Sequence, residues 1–471
     1  RIKNISFDYA RPTMSEMKIS SVSPNAIEMA IHPDSKYSID SGRIRFYGEG
    51  WRTRSYHTIL FDSVSNRLTY ASFAPFLRSR EVELRPNKVR FEGDFAAENY
   101  KPGNILTVRD PYRDNCGAFV SLSKNVALEN INMYYMHGLG IVSQFSENIS
   151  LFKVRVAPPQ NSGRVMASFA DCFHFSGCKG AVLIDSCYTS GSHDDPINVH
   201  GTYLQITGVK SNTVTVRFMH HQTWGFNAFF RDDSVAIIDP QTLLIVARTK
   251  LIKATLVNKH EMLLETEAKL PQGYTGFCVE NLTWYPQVTI RNSRFERTNT
   301  RGILITTRRK ALIENNVFAA TGMYPILVAD DASSWYESGA VTDLTIKNNV
   351  FENCGYNSES GAITILPENK ILVNNQAVHR SISITGNLFI INNGSVLNAR
   401  SVDQLIFQNN KVIYIDSVGG RNYQPVASIV ACKKVKLLNN SFGSNAKPSI
   451  LVSKMNKTDL STDINSSQVD Q

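Results

Sequence analysis

The sequence predicts an all-β fold, a right-handed parallel β-helix (a solenoid of short stacked strands) interrupted by two small antiparallel β-barrel-like insertions. Three observations predict it. A segment of alternating apolar residues closed by an Asn- or Ser-rich corner recurs along the chain, as in VALENINM from Val126, VTIRNSRF from Val288 and LTIKNNVF from Leu344. The steps from Val126 to Ile149, from Val288 to Ala311 and from Ile382 to Leu405 are each 23 residues, and the longer steps accommodate loops. Two long stretches carry hairpin alternation instead and break the repeat. A period of this size in short strands is a solenoid signature, and Asn suits the corners because it tolerates left-handed backbone and can hydrogen-bond to the next coil. The leucine spacing and helices of a leucine-rich repeat are missing.

The bulk properties agree with that reading. A chain of 471 residues exceeds one ordinary compact core, which a repeat protein does not need. Apolar content of 42% and charged content of 19% describe a globular chain, not a disordered one. The net charge of +9 could point to nucleic acid, a membrane surface or an acidic substrate. Lys and Arg are scattered, however, with only short runs such as Arg308-Arg309-Lys310. We read them as a solvated basic surface and expect no nucleic-acid partner. No apolar run approaches a membrane span. Zinc-type CxxC pairs, Walker and GxGxxG loops and HExxH are absent. The seven cysteines read as buried free thiols, although Cys172 and Cys178 are close enough to suggest a pair.

Taken in order, residues 1–15 already read as a β-helix coil, which implies a missing N-terminal part that could have carried a targeting segment. Residues 16–110 form the first inserted antiparallel subdomain, ending at Asp110-Pro111. Residues 111–201 return to the helix. Residues 202–285 form the second insertion, with a similar strand ending at Asp239-Pro240, so the two could be a duplication. Residues 286–453 continue the helix, and 454–471 read as a frayed polar tail. Each repeat strand is followed by a second short strand, as in DCFHF from Asp171, DPINV from Asp195 and RGILI from Arg301. Aligned on their inward pairs, these strands put Asp171, Asp195 and Arg301 in one column, with neighbouring coils about 4.8 Å apart.

Chemistry concentrates there. Asp171, Asp194 and Asp195 form an acidic cluster too compact to ionise fully, so one proton is retained beside one or two carboxylate bases. Glycosidic cleavage needs that combination. By strand parity Asp194 goes with Asn198 and His200 on the outer face, whereas Asp171 and Asp195 need a corner to reach solvent. The bland alternative is a simple Asp-Asp-Pro turn with Asp171 capping a corner. His174, His193, Asn198 and His200 are candidate ligands for sugar hydroxyls. Trp224 is a candidate stacking platform, or else barrel core. Arg301 could hold a hydroxyl or keep a base ionised, or be a structural ion pair. The histidine spacing matches no metal site, so neither metal nor cofactor is expected.

The stretches DCFHFS from Asp171, HDDPINVHG from His193 and FMHHQTWGF from Phe218 resemble glycoside hydrolase family 110, the exo-acting α-1,3-galactosidases. The resemblance covers most of the chain. It implies an interrupted β-helix, inversion at the anomeric centre, no metal and a galactose-terminated glycan substrate. Family members begin with a longer N-terminal part. One Asp followed by an Asp-Asp pair also resembles the inverting polygalacturonases, which implies Asp194 as general acid and Asp171 and Asp195 as activators of water. Ala170-Asp171 lacks the Asn-Thr-Asp context of those enzymes. Inversion sets an expected carboxyl separation of about 6.5–9.5 Å. The alternatives are a β-helix lyase or polygalacturonase-like hydrolase acting on an acidic glycan, and a non-catalytic glycan-binding adhesin. The substrate class implies secretion or a periplasmic location, and exposed insertion strands leave a homodimer open.

Overall fold

The computed structural model describes residues 1–8, 13–53, 57–72, 74–109, 113, 115–358, 361–391, 394–415, 425–443 and 448–468. The expected Asp110-Pro111 turn and residues 469–471 of the expected tail lie outside them. Strands of successive coils stack in parallel register. Leu151 pairs with Ile184, Ile184 with Ile290, and the row continues through Ile313, Ile346, Ile384, Phe407 and Leu437. Every member of that row is fully buried. Alternation produces the row because a strand side chain two places on returns to the same face. Each such side chain contributes about 1.5–3 kcal/mol by leaving water. First strands and the short strands after the corners make an 18-stranded sheet, and the second-strand column runs through a 17-stranded sheet.

The corners explain the asparagines. Asn292, Asn315, Asn348, Asn409 and Asn439 sit at φ of 54–57°, where most side chains are strained and Asn is tolerated. The following position builds a ladder. The amide Nδ2 of Asn316 donates to Asn349 Oδ1 at 3.1 Å, Asn349 to Asn387 at 3.0 Å, Asn387 to Asn410 at 3.0 Å and Asn410 to Asn440 at 3.1 Å. Beside it Phe318, Phe351 and Phe389 stack with centroids 5.0 and 4.8 Å apart and planes within 11°.

Both insertions are antiparallel. A seven-stranded sheet lies between Met14 and Arg109, with a three-stranded sheet over Lys36–Thr53. It docks on the helix through polar contacts. Both carboxylate oxygens of Glu16 accept from the backbone N–H of Val165 at 3.1 Å, and Oε1 also accepts from Met166 at 2.9 Å. Arg164 pairs with Asp8 at 2.9 Å, and the Leu68 N–H donates to Tyr356 Oη at 3.0 Å. A cavity of about 210 Å³ at this junction is lined by Asp8, Glu16, His32, Asp34 and Arg164, whose charges are largely used in joining barrel to helix.

The second insertion is continuous with the coil that carries Asp194 and Asp195. The strand Ile197–Lys210 begins in the helix, in parallel register with Phe173–Ser176, and ends in an antiparallel sheet with Thr213–Arg217 and Cys278–Asn281. One strand serves both bodies, so the turn following Asp194-Asp195 is tied to the second barrel. The frayed tail requires correction. Leu460–Thr462 pairs with the strand Lys433–Leu438, and Asn465–Gln468 pairs with Ser449–Ser453, so the helix continues to 468. Apolar residues are sparse there, but backbone pairing to the preceding coil is sufficient. Among the described residues no helix is long and apolar enough to cross a membrane.

Candidate active site

The parallel register assembles the column read from the sequence. Phe173 pairs with Ile197 and Ile197 with Ile303, so the positions two residues earlier bring Asp171, Asp195 and Arg301 together. One oxygen from each of Asp171, Asp194 and Asp195 lies within 4.8 Å of the others. These oxygens are closer than the expected gap for inversion. Two oxygens at that span can, however, share one water at about 2.8 Å from each. A cation would also suit three converging carboxylates, but here guanidinium groups already supply positive charge. The nearest are Arg301 and Arg113.

Each aspartate has its own surroundings. Asp195 is fully buried; its Oδ1 accepts from Arg301 Nε at 2.8 Å, while Oδ2 has no hydrogen-bond partner among the described residues. Asp171 is also buried, and its Oδ2 lies 2.8 Å from His174 Nδ1. Asp194 has the most access, with 23% of its side chain exposed against 8% for Asp171 and 1% for Asp195. Its Oδ2 accepts from Arg113 at 3.2 Å, and its Oδ1 lies 3.5 Å from Arg301 Nη2. Burial raises Asp171 to about 8, helped by Asp194 and Glu337 and opposed by Arg301 and Arg113. Burial likewise raises Asp195 to about 8, with Arg301 opposing and the other two aspartates adding to the rise. The pair titrates as a unit, and the site retains a proton at neutral pH. Burial works against the charge of Arg301, but Asp195 and Asp194 outweigh it and hold the guanidinium protonated.

His174, Asn198 and His200 lie on the outer face of adjacent strands, with His174 opposite Asn198 and Ser176 opposite His200. His174 Nε2 meets His200 Nε2 at 3.0 Å. His193 is 2% exposed. Trp224 lies on the loop between the strands Thr213–Arg217 and Ser234–Asp239 and is 44% exposed; its Nε1–H donates to the His221 carbonyl at 3.0 Å, and the Lys259 ammonium lies 5.1 Å from its ring centre.

Several groups at the site were not read from the sequence. Glu337 accepts from Asn198 Nδ2 at 3.4 Å and lies 3.7 Å from His200 Nε2. It arrives because Glu337–Ser338 pairs antiparallel with Gly201–Thr202. Beneath that pairing, Tyr203 Oη donates to Asp330 at 3.0 Å and Tyr285 Oη meets Ser338 Oγ at 2.7 Å. Arg113 bridges Asp194 and Gln222, accepted by Gln222 Oε1 at 2.8 Å. Two residues before Gln222, His220 lies against Trp335 with ring centres 4.3 Å apart, and Trp335 is 44% exposed. From the first barrel, Tyr70 and Arg109 come close enough for Asp194 to act on both. Burial raises Tyr70 and Asp194 adds to it, whereas burial lowers Arg109 to about 10 and Asp194 opposes that. The coils therefore hold the acids, while both barrels and the 330–338 segment supply the surrounding groups. The FMHHQTWGF stretch, which holds His220 and Gln222, is the signal that pointed toward some of them; nothing local to Arg113, Trp335 or Glu337 reveals which turn they will reach.

Known proteins resemble the chain along nearly its whole length. Residues 15–106 match the family described as GLAA-B beta-barrel domain I, 213–275 match GLAA-B beta-barrel domain II, and 275–464 match the right handed beta helix region. Alpha-1,3-galactosidase A of Bacteroides fragilis strain YCH46 is 42% identical over 98% of this chain and 78% of its own length. Alpha-1,3-galactosidase A of Akkermansia muciniphila is 37% identical over 87% of this chain and 68% of its own. Alpha-1,3-galactosidase B of Bacteroides thetaiotaomicron is 34% identical over 98% and 77%. With the β-helix, the barrel pair and these relatives in agreement, the chain belongs to the α-1,3-galactosidases of glycoside hydrolase family 110 and is a galactosidase-type glycosidase.

Proposed function

We propose that the chain removes terminal α-1,3-linked galactose from oligo- or polysaccharides with inversion, Asp194 acting as general acid and Asp171 and Asp195 activating the water. The observation that carries this reading is the trio itself, three carboxyl groups with oxygens within 4.8 Å that together retain a proton. The linkage rests on the names of the relatives. Asp194 is the carboxyl with most access to a leaving oxygen, and Arg113 and Arg301 are placed to stabilise the carboxylate left once it has given up its proton. Asp171 and Asp195 each hold a proton below about 8, and passage of the Asp195 proton across the short gap arms Asp194 and leaves Asp195 a carboxylate. Asp171 and Asp195 face one water between them, and Arg301 keeps Asp195 available as a base. Trp335, next to His220, and Trp224 are both 44% exposed, and either ring can serve as a platform for the sugar beyond the cleaved bond. A glycan substrate of this kind implies work in the periplasm or outside the cell.

Close carboxyls favour a second reading, a retaining double displacement, for which about 5–5.5 Å is usual. Proton NMR of galactose newly released from an α-1,3-galactosyl disaccharide separates the two. β-Galactose first is the expected result. α-Galactose first overturns inversion, and no release overturns the galactosidase reading. Asp194→Asn should abolish cleavage of the disaccharide yet retain cleavage of a dinitrophenyl α-galactoside, whose leaving group needs no proton. Equal loss on both substrates would remove Asp194 from the acid role.

A further inference from the structure

Beyond the trio runs a chain of hydrogen bonds that the proposed reaction leaves unused. Asp171 Oδ2 lies 2.8 Å from His174 Nδ1, His174 Nε2 lies 3.0 Å from His200 Nε2, and His200 Nδ1 lies 2.6 Å from the Gly201 carbonyl. Hydrogen-bond rules restrict its protons. A carbonyl only accepts, so His200 carries a proton on Nδ1. One further proton lies between the two Nε2 atoms. If it belongs to His174, a neutral His174 presents a lone pair at Nδ1, and Asp171 must be the donor, a carboxylic acid. If it belongs to His200, that ring is an imidazolium, His174 donates from Nδ1, and Asp171 is a carboxylate. The two arrangements hold the same protons and differ by two short transfers.

Burial decides between them in the free site. It lowers both imidazoles, with Glu337 opposing in each case, and it raises Asp171. The resting arrangement is therefore the acid beside two neutral rings, in which Asp171 cannot accept a proton from water. Glu337 Oε1, 3.7 Å from His200 Nε2 and held by Asn198, is placed to stabilise a proton on the far ring. The other charged groups acting on this chain are Asp194, Asp195, Arg113 and Arg301.

We propose that Asp171, His174 and His200 form a proton wire ending beside Glu337, which discharges Asp171 so that it can receive the proton of the attacking water. This rests on the reading of Asp171 as a water-activating group. In the first step the Asp171 proton passes to His174 Nδ1 while the His174 Nε2 proton passes to His200. Asp171 becomes a carboxylate and His200 an imidazolium paired with Glu337. The water oxygen then bonds to the anomeric carbon and gives one proton to Asp171, as the glycosidic bond breaks and its oxygen takes the proton of Asp194. The site has gained one proton and lost one. Return of the His200 proton along the wire and across the trio to Asp194 restores the starting arrangement. His174 and His200 are thus positioning residues acting through Asp171, not ligands of the sugar.

The wire can be read in the free enzyme. With the ten histidines ¹⁵N-labelled in the full chain, two-bond ¹⁵N–¹H correlation gives each tautomer, and His174→Asn and His200→Asn assign the peaks. His174 should carry its proton on Nε2 at pH 6; once Asp171 has lost its proton to solvent at about 8, that proton moves to Nδ1 and the Nε2–Nε2 hydrogen bond is given up, with His200 staying Nδ1–H throughout. A His174 ring fixed in one tautomer from pH 6 to pH 9 overturns the wire. Kinetics supply the second measurement. Asn at 174 can meet Asp171 but cannot reach His200, so kcat should fall about 100-fold with KM within about twofold and a shifted alkaline limb of the pH profile. A tenfold rise in KM with kcat and pH profile retained would make His174 a sugar ligand and overturn the proposal. The tautomer experiment needs no substrate, so a tautomer switch in an enzyme that does not release galactose would leave the wire standing and count against the galactosidase reading alone.

Discussion

One backbone position, repeated coil after coil, serves two purposes in this molecule. In the half that carries the aspartate trio the column is Asp171, Asp195 and Arg301; in the C-terminal half the same position is Tyr324, Gly361, Ser395 and Pro425. The stacking is alike and the content is opposite. In the C-terminal coils each ladder Asn passes a hydrogen bond to the next and aromatic rings stack face to face, with Asn369 Oδ1 and His379 Nε2 among the few buried atoms left without a partner among the described residues. The coils of the trio bury carboxyls that resist ionisation and leave Asp195 Oδ2 and Asn198 Oδ1 without partners among the described residues. A solenoid can separate these roles because each coil touches only its neighbours, so stability built in one stretch supports strain in another.

The largest test of that separation is Asp195→Asn. The amide still accepts from Arg301 but cannot act as a base, so kcat/KM should fall at least about 10⁴-fold while the melting temperature is unchanged or higher. A folded variant with near-normal turnover would take Asp195 out of the chemistry. Phe351→Ala is the converse. Its ring is fully buried between Phe318 and Phe389, and truncation should cost about 3–5 kcal/mol in urea unfolding. The folded fraction should keep its kcat/KM within about twofold. A large loss of turnover per folded molecule would show that the two halves are coupled.

The smallest effect is on pH-dependent stability. Asp171 and Asp195 are raised to about 8 in the fold, against about 4 in an unfolded chain. Between those values the folded state binds more protons, so their contribution is fully present below about pH 4 and lost as pH rises through about 8. Asp171→Asn should flatten this dependence and stabilise the protein at pH 8 relative to the unsubstituted chain. An unchanged slope between pH 5 and pH 8 would mean that the carboxyls ionise as freely in the fold as out of it.

Much of this was legible because a parallel solenoid maps sequence spacing onto space. Register carries Asp171 onto Asp195 and Arg301, and alternation puts His174 and Asn198 on one face. The same logic misled at the C-terminus, where polar composition suggested fraying although pairing needs only backbone, as Asn465–Gln468 demonstrates. Trp335 is the ring that sequence reasoning missed: it is as exposed as Trp224 and lies beside His220, but it sits more than a hundred residues beyond the motif that holds Trp224.

The sequence by itself determined the coil repeat, the asparagine corners, the two interruptions and the aspartate column, all of which follow from local periodicity and fixed stacking distances. Tertiary structure alone decided which groups surround the acids. Glu337 comes from a strand 139 residues beyond Asn198, and Arg113 precedes Asp194 by 81. Only the final packing of barrels and loops fixes their depth. Burial in turn decides which carboxyl keeps its proton, because the cost of a buried charge depends on every group that excludes water from it.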